Sequence, residues 1–245
     1  MNLLAVGASV EALFAVARSP MQFSAITYAL GRAIYVSLTN RCNAQTLIAT
    51  RGPSFAMPQS SGFTPLPEGF EPTADEVVAA VRAQLDLLPE ADGPVPVVFA
   101  GLGEPLLRLD VLLTAASSLN HAYMGGVNIR VSSNGLVPRH LSQQVARSLR
   151  EAGVRKATIA LASADDAQYD QLLIPRGAAV VSSTVSDSEV EVPKLADMCT
   201  FVRALVSEEL EVECATVAHP SVDLTEAEVL ARSLGTSFRC RSYHS

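Results

Sequence analysis

Hydrophobic positions along the chain follow two periods. Short apolar or β-branched runs, bounded by glycine, proline or polar residues, recur at Ile34–Thr39, Val95–Ala100, Val127–Ser132, Ala157–Ala162, Leu210–Val217 and Ser237–Arg241. Each reads as a short buried strand. Between them the apolar spacing becomes helical. Val77, Val78, Val81, Leu85 and Leu88 form one stripe, introduced by Pro72 and the capping box Thr73–Glu76. Asp110 to His121 reads as a second helix, and Leu141, Val145 and Leu149 stripe a third that Gly153 closes. Leu195, Met198, Cys199, Val202 and Leu205 stripe a fourth, and Thr225–Glu228 repeats the capping-box wording for a last helix ended by Gly235. No internal repeat is evident beyond the strand–helix unit itself.

This alternation predicts an α/β fold with parallel strands and helical crossovers. Six strands fit either an open doubly wound sheet or a partial barrel, and in both the ligand site gathers where the strands end. Residues 25–245 read as one domain. Residues 1–24 read as an N-terminal extension or helix, because Val6, Val10, Phe14 and Ala17 recur at helical spacing. The alternative is a cleaved targeting peptide, although no positive charge precedes the apolar run and it is shorter than the ~20 residues of a spanning helix. Two connections are long. The loop 50–72 holds five prolines and three glycines, and Arg176–Pro193 is rich in Ser, Val and acidic residues. Both leave the strand-end face, where a long loop can serve as a lid or a binding loop.

Composition narrows the function classes. The 245 residues are 49% hydrophobic with mean hydropathy +0.26, enough for the core of a single soluble domain. The net charge of −7 and the absence of any Lys or Arg run argue against a duplex-binding footprint, so a small-molecule ligand is the expected partner. Neither a membrane nor a particular protein partner is indicated. Cys42, Cys199, Cys214 and Cys240 form no Cys-x-x-Cys pair, which fits a reducing intracellular setting, cytoplasmic or organellar. Cys199, Cys214 and Cys240 read as core residues.

The strand ends carry the candidate chemistry. The first gives Thr39–Asn43 (TNRCN), the second Gly101–Pro105 (GLGEP), the third Ser132–Gly135 (SSNG) and the fourth Ser163–Asp166 (SADD). His219 and His244 sit in the last two exits and read as loop residues. Gly101, Gly103 and Glu104 suit a loop that lets a ligand approach the backbone while a carboxylate holds an amine or a ribose hydroxyl. A dinucleotide fingerprint would need glycine at position 106, which is Leu106. A tight turn capping the next helix accounts for the same run equally well. Ser133, Asn134 and Gly135 read as a ligand loop or a plain turn, and Cys42 as a metal ligand, a nucleophile or an inert thiol.

Taken together, these exits resemble the radical SAM superfamily, whose members use S-adenosylmethionine and a 4Fe-4S cluster in a partial (β/α)6 TIM-type barrel. Tyr35–Asn43 (YVSLTNRCN) is similar to the strand and loop that open the cluster motif. Phe99–Pro105 is similar to the Gly-Gly-Glu motif that holds the amino group of S-adenosylmethionine, and Ile129–Gly135 to the third-strand Asn-Thr-Asn-Gly segment. The wording Leu-Thr-Asn-Arg-Cys-Asn, Gly-Glu-Pro and Leu-Arg-Leu-Asp110 is nearest the TatD-associated subgroup, and the likeness runs roughly from Ile26 to Tyr243. It implies a partial barrel and cofactor contacts from Gly101, Gly103, Glu104, Pro105, Ser133 and Asn134.

One motif departs from the family. Its Cys-x-x-x-Cys-x-x-Cys spacing from Cys42 would put thiols at 46 and 49, which are Thr46 and Ala49. Three thiolates hold such a cluster, leaving the fourth iron for S-adenosylmethionine. Cys42 is then a vestigial ligand. The expected function is a non-radical or inactive homologue, a pseudoenzyme that still binds S-adenosylmethionine or a related nucleoside. The alternatives are an active radical enzyme with ligands from elsewhere or a sequence error across residues 45–49, a barrel hydrolase or isomerase using Glu104 with Arg41 or a metal, and a scaffold.

Overall fold

The sheet begins with a hairpin. Strand β1 (Thr27–Leu30) pairs antiparallel with β2 (Ala33–Val36) across the Gly31–Arg32 turn. Five more strands follow in parallel: β3 (Val95–Phe99), β4 (Val127–Ser133), β5 (Val154–Ala160), β6 (Glu211–Val217) and β7 (Ser237–Arg241). In this computed structural model the described residues are 25–88, 93–173 and 194–245. The expected N-terminal helix and the connection Arg176–Pro193 lie outside them.

Helices link the parallel strands. They are α1 (Ala74–Leu85), α2 (Leu109–Tyr123), α3 (Ser142–Glu151), α4 (Asp166–Leu173), α5 (Leu195–Ser207) and α6 (Leu224–Ser233). The strand order is sequential from β1 to β7. A doubly wound sheet needs a point where that order reverses, and none occurs among the described residues. Crossovers of one hand in a sequential order place the helices on one face. Accordingly α2 packs against α1 and α3, and α5 against α3 and α4. The sheet is open, since among the described residues β7 pairs with β6 alone and β1 with β2 alone.

Alternation along β4 separates the two faces. Val127, Ile129, Val131 and Ser133 are buried beneath the helices, while Asn128, Arg130 and Ser132 are half-buried on the other face. Phe99, Leu112, Leu119, Ile129, Leu149 and Ile159 are fully buried in the core, each contributing about 1.5–3 kcal/mol. The opposite face is polar: Lys156 pairs with Glu211, and Arg239 with Glu213 at 2.5 Å. Each pair joins neighbouring strands.

Some expectations need correction. β1 extends the sheet beyond the six expected strands. The capping box of α1 is present, with Thr73 N–H donating to Glu76 Oε2 at 2.8 Å and Glu76 N–H to Thr73 Oγ1 at 3.3 Å. The one expected at Thr225 is not the cap of α6. Asp223 Oδ1 accepts from Thr225 N–H at 2.8 Å and Glu226 N–H at 3.1 Å, so the cap lies two residues earlier than expected. Asp outranks Thr as an N-cap. Cys199 and Cys214 are buried as expected, but Cys240 is exposed, because β7 is an edge strand with a neighbour on one side only.

Candidate functional site

The exits of β2 and β3 are tied to each other. Gly103 N–H donates to Thr39 C=O at 3.2 Å and Glu104 N–H to Arg41 C=O at 2.8 Å. Glycine is required at 103 because a Cβ there would run into the carbonyl oxygens of both Thr39 and Arg41. Glu71, at the end of the long loop, fastens the same turn from outside. Its carboxylate accepts from Thr39 Oγ1 (2.5 Å), Arg41 Nε (2.8 Å) and Arg108 (2.9 Å). Burial pushes the Glu71 carboxyl up, yet these donors outweigh it and hold it below the usual range. Arg41 is therefore turned toward Glu71.

Glu104 joins the β3 exit to the β4 exit. It caps the short 3-10 helix Pro105–Arg108 by accepting Leu106 N–H at 3.0 Å, and its other oxygen accepts Asn134 N–H at 2.8 Å. The residue is 3% exposed. Burial pushes its carboxyl up to about 7, against the opposing hydrogen bonds from Asn134, Leu106 and Ser133. The other expected residues complete the cluster. Ser133 Oγ accepts Gly135 N–H, Asn134 Oδ1 accepts Leu136 N–H, and Asn134 Nδ2 donates to Asn43 Oδ1 at 2.7 Å, with Cys42 Sγ at 3.8 Å. Thus Gly101, Gly103, Glu104, Pro105, Ser133, Asn134 and Cys42 all meet at the ends of β2, β3 and β4.

Past Cys42 the chain organises itself. Thr46 Oγ1 accepts Ala49 N–H at 3.2 Å, opening the 3-10 turn Ala49–Arg51. Among the described residues, no three His, Cys, Asp or Glu side chains lie together as a metal-holding group. The donors within the motif are one thiolate, a hydroxyl engaged with the backbone and a methyl. A three-thiolate cluster does not fit that set.

A cavity of about 370 Å³ opens at the ends of β5 and β6. Its floor is Ala160, Leu161, Ala162, Ala215 and Val217, one wall is the last turn of α4, and His219 and Tyr243 stand at its rim. The roof is the loop Gln45–Pro53. That roof is fastened at both ends: Gln45 N–H donates to Leu173 C=O at 2.7 Å, and His244 N–H to Arg51 C=O at 2.8 Å. Arg51 Nε donates to Ser242 C=O at 3.0 Å, and Ser54 Oγ to Ser245 C=O at 2.7 Å. Gly52, at φ 105°, lies so close to the tail that a Cβ would collide with the His244 backbone. The His219 and Tyr243 rings meet edge to face at 4.8 Å, and His219 Nδ1 is held by Ser221.

No protein-family model matches this chain, and no curated protein matches it.

The volume falls within the roughly 300–1,000 Å³ range of small-molecule pockets, mostly apolar with a few polar groups at the edge. Glu104, Ser133 and Asn134 are not part of its wall. His219 was expected only as an exit residue, and Tyr243 stands beside His244 in the last exit. Their position directly after β6 and β7 is the one signal that pointed to them.

Proposed function

We propose that this protein is a radical-SAM-like partial (β/α)6 barrel that makes no radical and holds S-adenosylmethionine or a related nucleoside at the ends of its strands. The observation that carries the reading is the 370 Å³ cavity roofed by the segment that follows Cys42. The strand-end rule for barrels puts the ligand there.

The stagger of the sheet supports a barrel-like curl. Tyr35 on β2 lies in one hydrogen-bonded row with Val98, Arg130, Lys156 and Glu211. That row leaves β6 before β7 begins, since Ser237 pairs with Glu213. A row that runs off the sheet in this way has the stagger of a curling sheet.

The cluster does not fit, so no radical step is assigned. The Glu104 cluster is then a brace that fixes the exits of β3 and β4. A hydrolase centred on Glu104 is disfavoured by the same geometry: both carboxylate oxygens face backbone donors, and Arg41 is engaged by Glu71.

Calorimetric titration with S-adenosylmethionine and with adenosine tests the reading. Binding is expected in the wild-type chain and lost in Ala215→Leu, which fills the cavity floor while circular dichroism stays native. Absence of heat from both compounds, or undiminished binding in Ala215→Leu, overturns it.

A further inference from the structure

The polar face of the sheet holds more positive charge than its carboxylates neutralise. Lys156 and Arg239 are paired with Glu211 and Glu213. Arg51, Arg130 and Arg241 have no ion pair among the described residues. Arg241 is half-buried on β7, and burial together with the neighbouring Arg239 and Arg51 lowers its affinity for its own proton. Arg130 Nε is buried with no hydrogen-bond partner. In a chain of net charge −7 this concentration of arginine is local. Glu213, the carboxylate that acts on Arg241, is ion-paired with Arg239, and a desolvated guanidinium whose counter-charge is shared in this way is unfavourable.

Two of these arginines flank a recess. A pocket of about 30 Å³ is lined by Arg51, Arg241, Ser132 and Thr158. It shares Thr50, Ala160, Ala215 and Val217 with the main cavity, so the two spaces lie side by side. The result is an apolar chamber, edged by His219 and Tyr243, with a cationic end carrying two hydroxyls.

Resting on the proposed nucleoside-sized site, we infer that the ligand is an organic anion, its phosphate or carboxylate seated between Arg51 and Arg241 and its apolar body in the chamber. Guanidinium forks bind such oxyanions through two parallel hydrogen bonds. The hydroxyl of Ser132 supplies a further donor, while that of Thr158 faces Glu213 at 3.4 Å. A cationic sulfonium is disfavoured at this end, which ranks a nucleotide above S-adenosylmethionine.

The test is calorimetry at low and high salt with adenosine, adenosine 5′-monophosphate and inorganic phosphate. The wild-type chain, Arg241→Gln, Arg241→Lys and Arg51→Gln are compared. The monophosphate is expected to bind at least about tenfold tighter than adenosine, which corresponds to about 1.4 kcal/mol. Arg241→Gln should erase that gain and leave adenosine binding unchanged, Arg51→Gln should weaken the monophosphate more than adenosine because Arg51 also ties the roof to Ser242, Arg241→Lys should restore part of the gain, and salt should weaken it. Equal affinity for adenosine and its monophosphate overturns the anion inference while the nucleoside reading stands. Arginine-dependent phosphate binding to which adenosine adds nothing keeps the anion-binding recess and removes the nucleoside reading. No binding of any of the three removes both. If Arg241→Gln fails to fold, Arg51→Gln and Arg241→Lys decide the same question.

Discussion

Burial of Glu104 makes a sharp prediction about pH. Its carboxyl titrates near 7 in the folded protein against an ordinary 4.5. A raised carboxyl keeps its proton in the native state while the unfolded chain has already released it. Between the two values the native state binds more protons, so stability falls as pH rises. The contribution is intact below the unfolded value and lost by the time pH passes the folded one. At about 1.36 kcal/mol per unit, the shift amounts to about 3 kcal/mol. Glu104→Gln removes the titration. It also substitutes an amide N–H₂ for one of two acceptors facing Leu106 N–H and Asn134 N–H, which costs about 1–3 kcal/mol at any pH. The variant should therefore be less stable than wild type at about pH 5 and equal to it, or more stable, at about pH 8. Urea denaturation of both chains, followed by circular dichroism at each pH, reads the difference, and distant titrating groups cancel in it. A wild-type-minus-variant difference that stays constant between these conditions refutes the reasoning.

Anaerobic iron–sulfide reconstitution should leave the wild-type chain colourless, whereas Thr46→Cys combined with Ala49→Cys should yield a brown, iron-loaded protein. Stoichiometric cluster uptake by wild type would sink the non-radical reading. A thiol-reactive disulfide should label exposed Cys240 within the native state and reach Cys199 and Cys214 only on unfolding; equal labelling rates by mass spectrometry would contradict the burial. Gly52→Ala places a Cβ against the His244 backbone at positive φ and should cost roughly 1–3 kcal/mol. Limited proteolysis should then cut the 45–55 loop faster than in wild type, and unchanged protection would show that the tail does not hold the roof.

The central strands were legible by two patterns: Val95–Phe99 is apolar along its length, and Val127–Ser133 alternates apolar with polar residues because only one of its faces is covered by helices. β1 was hidden because its four residues, Thr27–Leu30, form an edge whose pattern is no different from the start of a loop. At α6 the capping-box wording at Thr225 masked the stronger cap at Asp223. The meeting of Glu104, Ser133, Asn134 and Cys42 followed from strand order, since exits of neighbouring parallel strands are neighbours in space. The cavity did not follow from it. Its roof depends on hydrogen bonds between Arg51 and His244 and between Ser54 and Ser245, partners separated by most of the chain. No local pattern encodes such a pairing. Even Glu104, the sharpest residue in the sequence, needed the structure to establish that its oxygens are spent on backbone donors.

The segment after Cys42 ties these threads together. In the family it resembles, metal–thiolate bonds would hold such a loop. Here Thr46 caps the turn at Ala49, and Arg51 and Ser54 tie the loop to the carbonyls of Ser242, His244 and Ser245. Its order comes from the polypeptide, so it does not depend on iron or on redox state. A roof built this way also brings Arg51 toward Arg241, an approach that a loop wrapped around an anionic thiolate cluster would not have needed to tolerate. On the proposed reading, Thr46 and Ala49 in place of cysteines and the cationic end of the cavity belong together. An anionic ligand is the partner that the proposed site's arginines favour.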